Sequence, residues 1–211
     1  MNKSFDFGKL FKLAALAALA IVVIGVVMLV FFGSNTHAPY SDGNLGVAFY
    51  LKAVISVILV CGLVTLYFGI RFRKKHGFKA GLVASLSACV SALTSFFICV
   101  IFRAPLCGYA FSVVLFAVCI SFVCSVVHFD FLNTYSYKKN KTQKDESSAS
   151  ARGFRRLLLF LFIILVILFV AFISALLLDA TLLTFYAFPA CVTVIFSSIF
   201  TFCACGKLFE K

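Results

Sequence analysis

The stretch SVVHFDFLN, Ser125 to Asn133, places a histidine and an aspartate one residue apart at the end of an uncharged apolar run. His128 and Asp130 are residue types that a proton relay inside a membrane would use, since imidazole titrates near neutral pH and intramembrane carboxylates often carry protons. The competing reading is a helix end, where polar groups enter the interface. An aspartate at a helix C-terminus opposes the helix dipole, so a nearby arginine or lysine is expected to hold it. The chain also has nine cysteines. Cys61, Cys89, Cys99, Cys119, Cys124 and Cys191 fall inside apolar runs and read as small buried hydrophobes. Cys203 and Cys205 form a lone CxC, which is open to metal binding or lipid attachment but specific to neither. There is no Walker loop, dinucleotide fingerprint, HExxH or Ser/His/Asp set, and no paired CxxC with zinc spacing. The expectation is a protein that is not an enzyme and uses no metal or cofactor.

The elements that must position these residues follow from composition. The 211-residue chain is 64% hydrophobic and 12% charged, with a mean hydropathy of +1.14. A soluble domain of this size cannot hide so much apolar surface, and continuous apolar runs of about 20 residues are long enough to cross a bilayer as helices. No period-two alternation suggests a barrel. One all-α membrane domain over residues 1–211 is expected, with six spans near 13–32, 53–70, 80–102, 109–129, 157–178 and 182–205. A polar segment over 130–156, Ser-rich at its centre, separates the fourth and fifth. Lys3, Lys9 and Lys12 precede a run too long for a usual signal core, so the first span reads as uncleaved.

The net charge of +12 could indicate a nucleic-acid partner. Its distribution argues against one. With six spans, the basic residues of the N-terminus, of 71–79, of 138–156 and of the C-terminal tail all fall on one side of the membrane. Lys52 and Arg103 alone fall on the other. The positive-inside rule then puts both termini in the cytoplasm. Lys52 reads as an anchor reaching the outer headgroups. Asp179 reads as part of a solvated outer turn. The third span carries Gly81, Ala84, Ser85, Ser87, Ala88, Ser91 and Ala92, which lets neighbouring helices approach and predicts a central place in the bundle. The fifth, bulky and apolar all round, is expected to face lipid over much of its surface.

The chain also resembles SecF, the membrane subunit of the bacterial SecD/SecF protein-export complex. Gly46 and the Lys52-Ala53 pair match the family's entry to the second span. Tyr67, Arg71 and Phe72 match its Tyr-x-x-x-Arg-Phe exit, and Gly81 matches a glycine at the third span. The family's fourth span ends Asn-Asp-Thr-Val-Val-Val-Phe-Asp-Arg, a register that lays Ser125, Phe129 and Asp130 on its Thr, Phe and Asp. FSSIF, Phe196 to Phe200 with Ser197 and Ser198, resembles the last-span signature, and FDFGKLFK, Phe5 to Lys12, resembles the family's entry to the first span. The resemblance covers nearly the whole chain in order. It implies a six-helix bundle like one half of the RND-like SecD/SecF membrane domain. It further implies a SecD-like partner, the Sec channel and a bacterial plasma membrane.

The departures are equally specific. Where the family has an extracytoplasmic domain between its first two spans, this chain has only Gly33 to Asn44. The fourth-span acid implicated in proton flow falls on Cys124, and a His-Asp pair in the third span falls on Ala88 and Cys89. Arg155 or Arg156 stands where the family has a basic relay partner. The resemblance therefore implies an accessory subunit without its own complete proton relay. The alternative is a small transporter or channel of unrelated function. That reading requires a polar or broken-helix site near the bilayer midplane, and Pro189 is the one proline inside a span.

Overall fold

The computed structural model describes residues 7–33, 47–73, 77–106, 108–136, 158–159, 161–170, 172–174, 177 and 181–209. Within them the chain is helical, with no strand. The helices are α1 (Phe7–Phe32), α2 (Val47–Arg71), α3 (Gly77–Ile101) and α4 (Gly108–Ser136). They continue with a shorter apolar helix, α5 (Leu161–Ser174), and with α6 (Thr181–Phe209). Five of them, all but α5, contain apolar stretches of 18 to 25 residues, long enough to cross a membrane. The protein is a multi-pass helical membrane protein. In hydrocarbon each backbone N–H and C=O must be paired within its own segment, and uninterrupted helices do this.

Several boundaries differ from the hydropathy reading. α2 begins at Val47, so Lys52 lies within a helix rather than before one. α4 continues to Ser136, so Asp130 is not a helix terminus and the polar segment expected over 130–156 starts with helical residues. The helix dipole therefore does not act against Asp130, because its effect is confined to a helix's last turn. Hydropathy marks the stretch that prefers hydrocarbon, whereas backbone hydrogen bonding continues through interfacial turns that carry polar side chains. Gly46, Asp179, Arg155 and Arg156 lie outside the described residues.

α3 is the hub of the bundle. It packs against α1, α2, α4 and α6, and α6 also meets α1 and α4. In the apolar stretches of α3 and α6, 61% of residues are buried, against 11% in α2. The cause is side-chain size. α3 buries Ala80, Gly81, Ala84, Ser85, Ser87, Ala88, Ser91, Thr94 and Ser95, a continuous small-residue surface. At Gly81 a Cβ would stand 2.7 Å from the Thr65 carbonyl oxygen, so α2 and α3 touch backbone to side-chain-free backbone. On α1, Ala14 and Ala18 pack with Phe200 and Cys203 of α6. α5 buries Leu161 against Ile120, Cys124 and Val194, and turns Phe162, Ile167 and Phe169 outward.

The bundle is tied at one end by Arg103, which follows α3 with a left-handed φ of 55°. The Arg103 guanidinium donates to the Phe32 carbonyl at 3.2 Å, linking the C-terminal ends of α1 and α3. Nearby, the Tyr186 hydroxyl donates to the Pro105 carbonyl at 2.5 Å and so holds α6 to the α3–α4 turn. α6 runs on as a helix through the buried Pro189.

Candidate functional site

At the opposite end, α2 and α4 are joined by an ion pair. Arg71 Nε donates to Asp130 Oδ1 at 3.2 Å. Nη2 donates to Oδ1 at 3.0 Å and to Oδ2 at 3.0 Å. This fork geometry suits the planar guanidinium and not an ammonium. Both side chains are partly exposed, at 48% and 40%, so the pair is screened and contributes little to stability. The Arg71 guanidinium also lies 6.0 Å from the Tyr67 ring centre and 5.9 Å from that of Phe72, near the outer limit for cation–π attraction. Below it, Phe68, Phe72 and Phe129 form an aromatic cluster. Phe68 meets Phe129 edge-on at 5.4 Å, and Phe72 meets Phe129 at 5.7 Å. The cluster is completed by Ala80, Ala84 and Cys205.

Arg71, Phe72, Phe129 and Asp130 therefore come together in space. His128 does not join them. Positions i and i+2 on a helix point to different faces. His128 is buried and meets the Phe202 ring edge-on at 5.2 Å, while Asp130 faces Arg71. The stretch that began as a candidate His-Asp relay is divided between an aromatic pocket and an interhelical ion pair.

The bundle interior holds a seam of hydroxyls, although each of these residue types is individually unremarkable in sequence. Ser87 of α3 lies 3.3 Å from Ser121 of α4, and Ser121 lies 2.7 Å from Thr201 of α6. Two turns away, Ser95 of α3 lies 3.4 Å from Thr193 of α6. Four-residue spacing repeats on both helices, as Ser87, Ser91 and Ser95 on α3 and as Thr193, Ser197 and Thr201 on α6. Ser91 and Ser197 occupy the middle of the ladder. Both are fully buried, and neither hydroxyl has a hydrogen-bond partner among the described residues. The sequence signal for this seam was the i, i+4, i+8 recurrence of Ser and Thr on two apolar helices.

The remaining positions singled out in sequence are dispersed. The Ser125 hydroxyl donates to the Ser121 carbonyl at 2.9 Å, and the Cys205 thiol points to Ser125 at 3.7 Å. Ser198 donates to the Val194 carbonyl at 2.6 Å. Cys124 is buried in the α4–α5–α6 cluster. Cys203 and Cys205 are buried within the bundle. Among the described residues no three His, Cys, Asp or Glu side chains converge as ligands for a metal. The expectation of buried cysteines needs correction at Cys89 and Cys119, which lie exposed on the outside of the bundle. Helices of uniform hydropathy do not reveal in sequence which apolar face turns to lipid. The side chain of Lys52 is outside the described residues.

No protein family, curated protein or solved structure matches the chain.

Proposed function

We propose that this chain is a SecF-like accessory subunit of the Sec protein translocase in a bacterial plasma membrane. In this reading it has six spans with both termini in the cytoplasm, α5 being the core of the fifth. It assists export or membrane insertion of proteins by packing against a SecD-like partner and the translocation channel. The observation that carries the reading is the Arg71–Asp130 pair. It joins two positions on which the resemblance rests, Arg71 at the end of α2 and Asp130 within α4, with Phe72 and Phe129 packed beside it. The absence of an acid at Cys124 and Cys89 supports an accessory role without a complete relay of its own. Affinity purification in mild detergent from the native membrane tests it. Recovery of a SecD-like protein or the Sec channel is the expected outcome, and recovery of neither overturns the proposal.

A second reading, a small transporter or channel, draws support from the hydroxyl seam. Ser91 and Ser197 are buried polar groups in the apolar interior, and Pro189 lies one turn from Thr193 on the same helix. Solute or ion flux by the purified chain alone in vesicles would favour this reading over the first.

A further inference from the structure

Halfway along α2 and α3, the thiols of Cys61 and Cys89 lie 3.6 Å apart. Cys61 is buried against α3, and Cys89 is exposed on the outside of the bundle. Exposure at the midpoint of a membrane-crossing helix means contact with acyl chains. The two helices are already held close on this seam. The Thr65 and Ser85 hydroxyls lie 2.7 Å apart and both reach the Cys61 carbonyl at 2.9 Å. Gly81 extends the close contact toward the end that carries Arg71. A disulfide bond is about 2.0 Å long, so the sulfurs need to close by roughly 1.6 Å, within reach of small side-chain rotations.

We propose that Cys61 and Cys89 form an intramembrane disulfide whose oxidant is a lipid-soluble quinone. Both S–H bonds break and one S–S bond forms. The quinone takes up both electrons and both protons and leaves as the hydroquinone. The bilayer core determines the class of oxidant. Charged oxidants are excluded from hydrocarbon, and a thiolate is strongly disfavoured there, so the acceptor must dissolve in lipid and carry away protons along with electrons. α2 has α3 as its principal neighbour, and the cross-link would fix that peripheral helix at mid-height.

The test uses the full chain reconstituted in phosphatidylcholine vesicles and treated with duroquinone, whose ring positions are all blocked against thiol addition. Remaining thiols are then alkylated, and the protein is digested and mapped by mass spectrometry. The expected result is a peptide pair joined through Cys61 and Cys89. Proximity should make loss of alkylation at these two at least about tenfold greater than at Cys119, which is also exposed. Cys61→Ser and Cys89→Ser each abolish the linked pair, whereas Cys119→Ser leaves it, and a thiol reductant restores both thiols once the protein is denatured in detergent. Equal oxidation of Cys119, or no linked peptide in the wild-type chain, overturns the proposal. The wild-type map stands whether or not the serine variants fold.

Discussion

The ion pair between Arg71 and Asp130 shows how much one residue's role depends on its neighbours. By sequence, Asp130 is an acid close to a histidine. In three dimensions its partner is an arginine 59 residues earlier, bound through both carboxylate oxygens. Partial exposure keeps the expected coupling small. In a double-mutant cycle of Arg71→Ala and Asp130→Asn, the two single effects should sum to slightly more than the effect of the double variant, read from unfolding of the purified protein in detergent. Arg71→Lys should recover only part of this coupling, because an ammonium cannot reproduce the fork. Strictly additive single mutants would mean that the pair contributes nothing to stability. The helix end that called for a basic neighbour at Asp130 lies further on, at Ser136, and which base pairs with it was not legible, since nine Lys and Arg residues lie from Arg71 to Lys141.

At the scale of the helix, the α2–α3 contact depends on what is absent from Gly81. A Cβ there would meet the Thr65 backbone at 2.7 Å, while one at Gly62 on α2 would meet nothing within 4 Å. Backbone cannot yield as the tip of a flexible side chain does. Gly81→Leu should therefore destabilise the bundle by about 1–3 kcal/mol, and Gly62→Leu, which faces open space, should be close to neutral. Loss of helicity during titration with a denaturing detergent measures both. Equal effects would show that α2 does not depend on this approach. The small-residue surface of α3 was readable as a packing face because Gly, Ala and Ser recur along it. The partners on each side of it were not, because α1, α2, α4 and α6 all offer apolar side chains of similar character.

For the whole molecule, the arrangement of charge and the number of crossings must agree. Six crossings return the C-terminus to the side of the N-terminus, and five leave the termini on opposite sides. Tags at the two ends, probed with and without membrane permeabilisation, should be accessible from the same cytoplasmic side. Tags on opposite sides would remove the fifth span and with it the six-helix reading. The sequence by itself determined that this is a multi-pass helical membrane protein, since composition and the length of apolar runs depend only on hydrocarbon solubility and backbone pairing. It also marked α3 as a packing helix through residue size. Only the tertiary structure decided that Asp130 faces Arg71 while His128 faces Phe202, that the serines and threonines of α3, α4 and α6 form one ladder, and that the thiols of Cys61 and Cys89 meet. Each depends on the rotation and register of one helix against another. In a bilayer, where every face of a helix is apolar, hydropathy carries almost no information about that rotation, and close packing of small residues sets it instead.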